Sequence, residues 1–418
     1  MLAKPKFLIF YFLFFAGIIF RLWFITLYPQ PQLIADQYVY NWYADGILKY
    51  GIFAVSDRLY GYPLILAVIK IFFGNNYLAV HLFQAILDTL TAFMIYFMGS
   101  QLFKSKIPSY LALITYLFNP FTSAYVGMLS TEITAIFLTL LIYILFQQVL
   151  LKGKIFVILL VSLLLGFLPQ LRPSFVLFPV IFILVLFFLL REKIRMSQLL
   201  LVFTIPILFI LPFIYTAIGN IKYFNQFSFL TVDKLIAREF YFSMLVGKYP
   251  HHTPLEMLPK KMQEIYYEFT PIPRNKDERK AMADKYINLG LIELKNDLSG
   301  QIIRHFKKMY YVWEKNYLFY YTGLIKPISR IVYIGNSILL FLGIYGFIYY
   351  WRREAIYLQK YKNLKVYLIM IAFLWVYISV IHMISTADER YSLPGYPLMF
   401  LFAGYAIYKI TTYRKKEN

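Results

Sequence analysis

The chain has 418 residues, of which 60% are hydrophobic, 20% aromatic and only 15% charged, and its mean hydropathy of +0.61 excludes a water-soluble globule of this size in favour of an integral membrane protein. It has no cysteine, which rules out disulfides, thiolate nucleophiles and thiolate metal sites. The net charge of +21, from 42 Lys and Arg against 21 Asp and Glu, sits largely in short loops between apolar runs. That pattern is a topology signal, and no nucleic-acid partner is expected.

The first apolar run, 7–27, follows Lys4 and Lys6, is long enough to span, contains Arg21 and lacks a small-residue cleavage pattern. It reads as a retained anchor. A polar and aromatic loop over 28–76 follows, in which 62–74 is apolar but too short to cross, so that it predicts an interfacial helix with Lys70 snorkelling toward headgroups. Further runs lie at 77–102, 107–126, 130–151, 154–170, 173–190, 198–218, 328–350, 364–384 and 391–411. Together they predict an all-α polytopic membrane protein with about ten transmembrane helices, interfacial helices on its outer face and a small outer cap. The divisions are an N-terminal transmembrane module over 1–218, a cap over 219–327 and C-terminal transmembrane helices over 328–418.

The basic clusters Lys4/Lys6, Lys104/Lys106, Lys152/Lys154, Arg191/Lys193/Arg195, Arg352/Arg353 with Lys360/Lys362/Lys365, and Arg414/Lys415/Lys416 all fall on one side if both termini are cytoplasmic. The opposite side then receives 28–76, the 119–132 turn, 169–173, the cap and 388–391. The cap holds 17 Lys or Arg and 11 Asp or Glu, mixed with apolar residues as in water-exposed helices. Tyr310, Tyr311, Trp313, Tyr317, Phe319, Tyr320 and Tyr321 read as an interfacial segment returning the chain to the membrane.

Chemistry is carried by the few charges placed at or inside the membrane. Asp36 lies just outside the first run on an aromatic segment, with Asp45 and Asp57 as weaker acidic candidates. Asp88 lies within a run, one turn after Gln84, which fits either a polar helix-packing network or a substrate contact. Glu132 opens the 130–151 run after Ser130 and Thr131, as a first-turn acid or on the rim of a cavity. Arg21, Arg172 and Arg390 all fall on the face opposite the basic clusters. Snorkelling or pairing with acids accounts for any one of them, but together they suit an anion site, because a guanidinium fork matches phosphate oxygens. A carboxylate beside such a site fits sugar transfer from a polyprenyl phosphate, the arginines stabilising the leaving phosphate and Asp36 taking the acceptor's proton with inversion.

The order of motifs resembles the bacterial PMT_2-type, family 39-like GT-C glycosyltransferases, which include aminoarabinose and Rgt-type lipopolysaccharide transferases. The resemblance rests on Asp36, Tyr40 and Tyr43-Ala44; on Arg58 with Tyr60-Gly61-Tyr62-Pro63; on Gln84 and Asp88; on Arg172-Pro173; and on Arg390-Tyr391-Ser392-Leu393-Pro394. It implies a GT-C-like bundle in the bacterial inner membrane, with the site facing the periplasm, Asp36 as the catalytic carboxylate and a polyprenyl-phosphate-linked sugar as donor. The donor phosphate would meet Arg21, Arg172 and Arg390. Tyr40, Tyr43, Arg58, Tyr62, Lys70, Gln84, Asp88, Glu132 and Tyr391 would line the pocket or position its loops. Asp36-Gln37 stands where protein mannosyltransferases have Asp-Glu, which argues against protein O-mannosylation and for a lipid, lipopolysaccharide or envelope-glycan acceptor. No cofactor is implied and no recognisable metal ligand spacing is present, the pair His251 and His252 having no adjacent carboxylate cluster, although phosphate oxygens leave a divalent cation open. The alternatives are a polysaccharide polymerase or ligase using a lipid-diphosphate donor, and a lipid-linked sugar transporter.

Overall fold

The computed structural model describes residues 5–26, 33, 36–51, 58–190, 199–231, 235–245, 257, 260, 263–264, 275–315, 326–353 and 362–417. Asp57, His251, His252 and the aromatic positions Tyr317, Phe319, Tyr320 and Tyr321 lie outside them. The described residues are helical, with no strand among them. In chain order they form α1 (Pro5–Thr26), α2 (Asp36–Tyr50), α3 (Gly61–Phe73), α4 (Tyr77–Leu102), α5 (Ile107–Leu117), α6 (Pro120–Ser123), α7 (Glu132–Lys152), α8 (Ile155–Leu171), α9 (Phe178–Leu190) and α10 (Leu199–Phe224). The cap contributes α11 (Leu235–Leu245), α12 (Lys276–Asn296) and α13 (Leu298–Tyr311); the chain then continues through α14 (Lys326–Arg353), α15 (Lys362–Ile384), a 3-10 turn (Glu389–Gly395) and α16 (Tyr396–Glu417).

The expected count of about ten spans is corrected by this structure. Six helices among the described residues are long and apolar enough to cross a membrane: Leu8–Thr26, Tyr77–Leu102, Glu132–Lys152, Thr204–Phe224, Arg330–Arg353 and Leu364–Ile384. The chain is a multi-pass membrane protein. Run 107–126 is cut because Asn119-Pro120 starts a new turn, in which the Asn119 side chain accepts from Thr122 N at 2.9 Å and donates to Tyr116 O at 2.5 Å. That leaves α5 only 11 residues. Arg172-Pro173 likewise stops α8 at 17 residues, since the residue before proline leaves the helical region, and α9 has 13. The last run begins with the 3-10 turn, and α16 is a core helix lodged between α14 and α5. Gly346 permits the α14 approach, because a Cβ there would collide with the Phe402 carbonyl.

The interfacial reading of 62–74 also needs correction at Lys70. The α3 helix has 13 residues, too few to cross, but Lys70 does not snorkel to headgroups. It is buried and its ammonium pairs with Asp45 Oδ1 at 2.5 Å, tying α3 to α2. The start of α3 is pressed against the end of α8, since a Cβ on Gly61 would lie 2.5 Å from Gln170 O. Only glycine allows that approach.

Deep in the bundle, Arg21 and Asp88 are both completely buried. Arg21 Nε donates to Asp88 Oδ2 at 2.7 Å, and Arg21 Nη1 donates to Leu117 O at 2.8 Å and Gly17 O at 3.1 Å. Asp88 also accepts from Tyr116 Oη at 2.7 Å and Thr122 Oγ1 at 2.9 Å. Both charges are thereby committed to holding α1, α4, α5 and α6 together. Removing one partner of such a pair strands the other in a medium that cannot solvate it, at a cost of about 3–5 kcal/mol. Asp88→Leu is therefore expected to lower the unfolding temperature of the detergent-solubilised protein much more than Arg21→Met combined with Asp88→Leu. Equal losses from the single and double variants would contradict this account.

Candidate active site

Asp36 is the first residue of α2, where the helix dipole favours a carboxylate. Arg58, three residues before the close approach of Gly61 to α8, donates from Nη2 to Asp36 Oδ1 at 2.5 Å. Arg390, on the 3-10 turn far along the chain, donates from Nη2 to Asp36 Oδ2 at 3.2 Å. The carboxylate thus bridges two guanidiniums, and the three side chains remain partly open to solvent at 27%, 20% and 20% exposure.

A buried second tier backs this bridge. Glu132 Oε1 lies 3.8 Å from both Arg390 Nε and Arg172 Nη2, and Arg172 Nη1 donates to Arg390 O at 3.4 Å. Glu132 Oε2 is buried without a hydrogen-bond partner. Arg390 Nε also faces Asp388 Oδ2 at 3.3 Å, while Asp388 Oδ1 accepts from Arg390 N at 3.1 Å. Both guanidiniums sit over the Tyr391 ring, at 5.2 Å for Arg172 and 5.6 Å for Arg390, and His382 stacks on that ring at 4.6 Å. On the other flank, Arg58 lies 6.0 Å from the Tyr40 ring, which packs edge-on against Tyr62 at 5.2 Å.

The 124–131 loop over the site is held by side-chain amides. Gln84 Nε2 donates to Val126 O and Met128 O, both at 2.8 Å, and Gln84 Oε1 accepts from Tyr62 Oη at 3.0 Å. Gln37 Oε1 accepts from Leu129 N at 3.0 Å. The 3-10 turn is held by Lys315, a residue that sequence reasoning did not single out. Its fully buried ammonium donates to Glu389 O at 2.5 Å and Ser392 Oγ at 2.9 Å, and so brackets Arg390. Burial pushes the Lys315 amine down to about 7, against the opposing pull of Glu389, Asp388 and Glu314. Tyr125, buried within the field of Glu389, Asp388, Glu132 and Arg390, was also missed, since nothing in its sequence neighbourhood marks it.

Of the residues expected from sequence, the structure brings together Asp36, Arg58, Arg172, Arg390, Glu132, Tyr40, Tyr62, Gln84 and Tyr391. It does not bring Arg21 there. Arg21 was expected to meet a donor phosphate, but it is completely buried and committed to Asp88, so its donors are turned away from Asp36. Asp88 sits one turn below Gln84 as a packing residue. Tyr43 lies behind the site in a small cluster with Leu59 and Tyr60, where Tyr60 Oη donates to Pro212 O at 2.7 Å. Asp45, the alternative acid, is occupied by Lys70. Among the described residues, no group of three or more His, Asp or Glu side chains is gathered as a metal site.

Burial by itself would raise the Asp36 carboxyl, but Arg390 and Arg58 outweigh it and bring it down from the ordinary 3.8 to about 2. A carboxyl lowered in the folded state stabilises the fold above its unfolded pKa, here by about 2 kcal/mol, and the contribution disappears as pH falls from about 4 through about 2. Asp36→Asn should therefore lower the unfolding temperature at neutral pH, with the gap to the parent narrowing on acidification toward about pH 3. A gap that does not change with pH would show that the charge is not what binds the bridge.

Residues 60–215 match the family model described as dolichyl-phosphate-mannose-protein mannosyltransferase, PMT_2. This stretch is a little over a third of the chain and is glycosyltransferase-like. It contains Tyr62, Gln84, Asp88, Glu132 and Arg172, while Asp36, Arg58 and Arg390 lie outside it. No curated protein matches the chain.

Proposed function

We propose that the protein is an inverting glycosyltransferase that moves a sugar from a polyprenyl-phosphate donor to a lipid, lipopolysaccharide or envelope-glycan acceptor at the outer face of a bacterial inner membrane. The observation that carries this reading is the partly exposed Asp36 carboxylate held between Arg58 and Arg390, with the PMT_2 likeness of 60–215 supporting the donor class. In the step proposed, the acceptor oxygen forms a bond to the anomeric carbon as the bond from that carbon to the phosphate oxygen breaks. The bonding pair leaves on the phosphate, and the acceptor's proton passes to Asp36. Arg390 and Arg58 stabilise the charge that grows on the leaving phosphate. Arg172 and Glu132 hold Arg390 from behind, and Tyr40, Tyr62 and Tyr391 shape the walls.

A carboxyl at about 2 is ionised but a weak base. Phosphate competes for the same guanidiniums, so donor binding draws Arg390 and Arg58 away from Asp36 and raises the carboxyl when a proton must be accepted. The base is thereby activated by the substrate it serves.

The orientation rests on the distribution of charge at the two ends of the bundle. Tyr350 Oη donates to Leu102 O at 2.8 Å, so the C-terminal ends of α14 and α4 meet, bringing Arg352 and Arg353 together with Lys104 and Lys106. Lys152 and Lys154 lie at the α7–α8 junction, the opposite ends of these helices from Glu132 and Arg172. The positive-inside bias supports a cytoplasmic basic end, and in this reading Asp36 faces outside and both termini are cytoplasmic.

In a reconstituted assay with a panel of polyprenyl-phosphate sugars and membrane-derived acceptors, Asp36→Asn is expected to lose turnover by about 100-fold or more while still binding donor. Arg390→Ala and Arg172→Ala are expected to weaken donor binding or transfer well beyond Lys260→Ala in the cap. Full turnover by a folded Asp36→Asn variant sinks the base assignment, and equal effects of the three alanine variants sink the phosphate assignment.

A further inference from the structure

The α13 helix of the cap has its polarity reversed relative to a helix lying in water. Leu298, Ile302, Phe306 and Tyr310, spaced four residues apart, are each more than half exposed, as is the adjacent Ile303. At helical rise this stripe runs for about 18 Å. Two polar residues of the same helix face inward instead. Gln301 and Lys308 are buried, Gln301 Nε2 donating to Met244 O at 3.0 Å and Lys308 Nζ donating to Ser243 O and Ser385 O, each at 2.9 Å. These bonds fix the rotation of the helix, so the apolar stripe has no inward alternative.

Two anchors also fix its level. Ser385, held by Lys308, directly follows the span Leu364–Ile384, and Tyr333, whose hydroxyl meets that of Tyr310, lies in the first turn of the span Arg330–Arg353. Both ties are at points where a spanning helix leaves the bilayer. The stripe therefore continues the outward apolar face that α14 presents through Ile331, Ile334, Ile338 and Phe341. Lys307 is exposed beside the stripe, within reach of headgroup phosphates.

We infer that α13 lies flat in the lipid monolayer at the outer end of the bundle, with Leu298, Ile302, Phe306 and Tyr310 in the acyl boundary and Lys307 among the headgroups. A helix of this pattern binds an interface through its buried apolar area and its basic flank. The occupant of the exposed face is thus lipid rather than water or a second chain. The inference does not depend on the catalytic reading, although it sets the cap at the depth where a lipid-borne phosphate would sit.

The absence of cysteine makes single-site labelling direct. Ile302→Cys, Phe306→Cys and, as a cap control, Lys280→Cys are each spin-labelled and reconstituted in vesicles of phosphatidylcholine and phosphatidylglycerol, after unfolding temperatures confirm that each labelled variant is folded. Collisions with oxygen, which partitions into lipid, are compared with those of a water-soluble nickel chelate. The expected result is an oxygen-to-nickel ratio several-fold higher at 302 and 306 than at 280. Ready access of nickel at 302 and 306 would overturn the inference in favour of water. Immobilised labels shielded from both reagents would overturn it in favour of a protein partner.

Discussion

The bridge from Arg58 through Asp36 to Arg390 ties the N-terminal loop to the last quarter of the chain, and its stability follows from where it lies. Two cations around one carboxylate leave a net positive group at the edge of a low-dielectric bundle, where unpaired charge is costly. Glu132 and Asp388 supply the further negative charge beside Arg390. An arrangement of this kind, with Asp36, Glu132 and Asp388 against Arg58, Arg172 and Arg390, holds together without a ligand. In the proposed reaction the same arginines that hold the carboxylate would meet the donor phosphate.

The acids of the membrane module divide their roles by environment rather than by residue type. Asp88 is completely buried and saturated by Arg21, Tyr116 and Thr122, so it holds helices together. Asp45 fastens α2 to α3 through Lys70. Glu132 is buried, with Oε1 facing two arginines and Oε2 without a hydrogen-bond partner. Asp36 alone of these four combines two arginine partners with exposure to the outer end of the bundle. Buried amides and amines give the site its rigidity: Gln84 and Gln37 hold the 124–131 loop, and Lys315 brackets Arg390. The cap is therefore coupled to the site through buried hydrogen bonds, because Lys315 belongs to the segment that follows α13.

Much of the candidate site was legible before the fold. Asp36, Arg172 and Arg390 stand out because charge is scarce in so apolar a chain, and a membrane tolerates it only with a partner or a purpose. Arg21 stands out for the same reason, yet its purpose is structural. Scarcity shows that a charge matters without showing which partner it finds. Lys315 and Tyr125 were not legible, since a lysine among the cap's many charges and a tyrosine among 39 carry no local mark. The span count failed where a continuous apolar run does not mean a continuous helix. Asn119-Pro120 and Arg172-Pro173 interrupt hydrogen bonding without interrupting hydropathy.

The sequence by itself determined that this is a helical membrane protein with a charged aromatic loop at one end of its bundle, because apolar run length and charge placement are local properties that lipid reads directly. Tertiary structure alone decided which arginine meets which carboxylate. Arg58 and Arg390 converge on Asp36 and Arg21 is taken by Asp88, because packing at Gly61, capping at Asn119 and the buried grip of Lys315 set the positions from which those side chains reach.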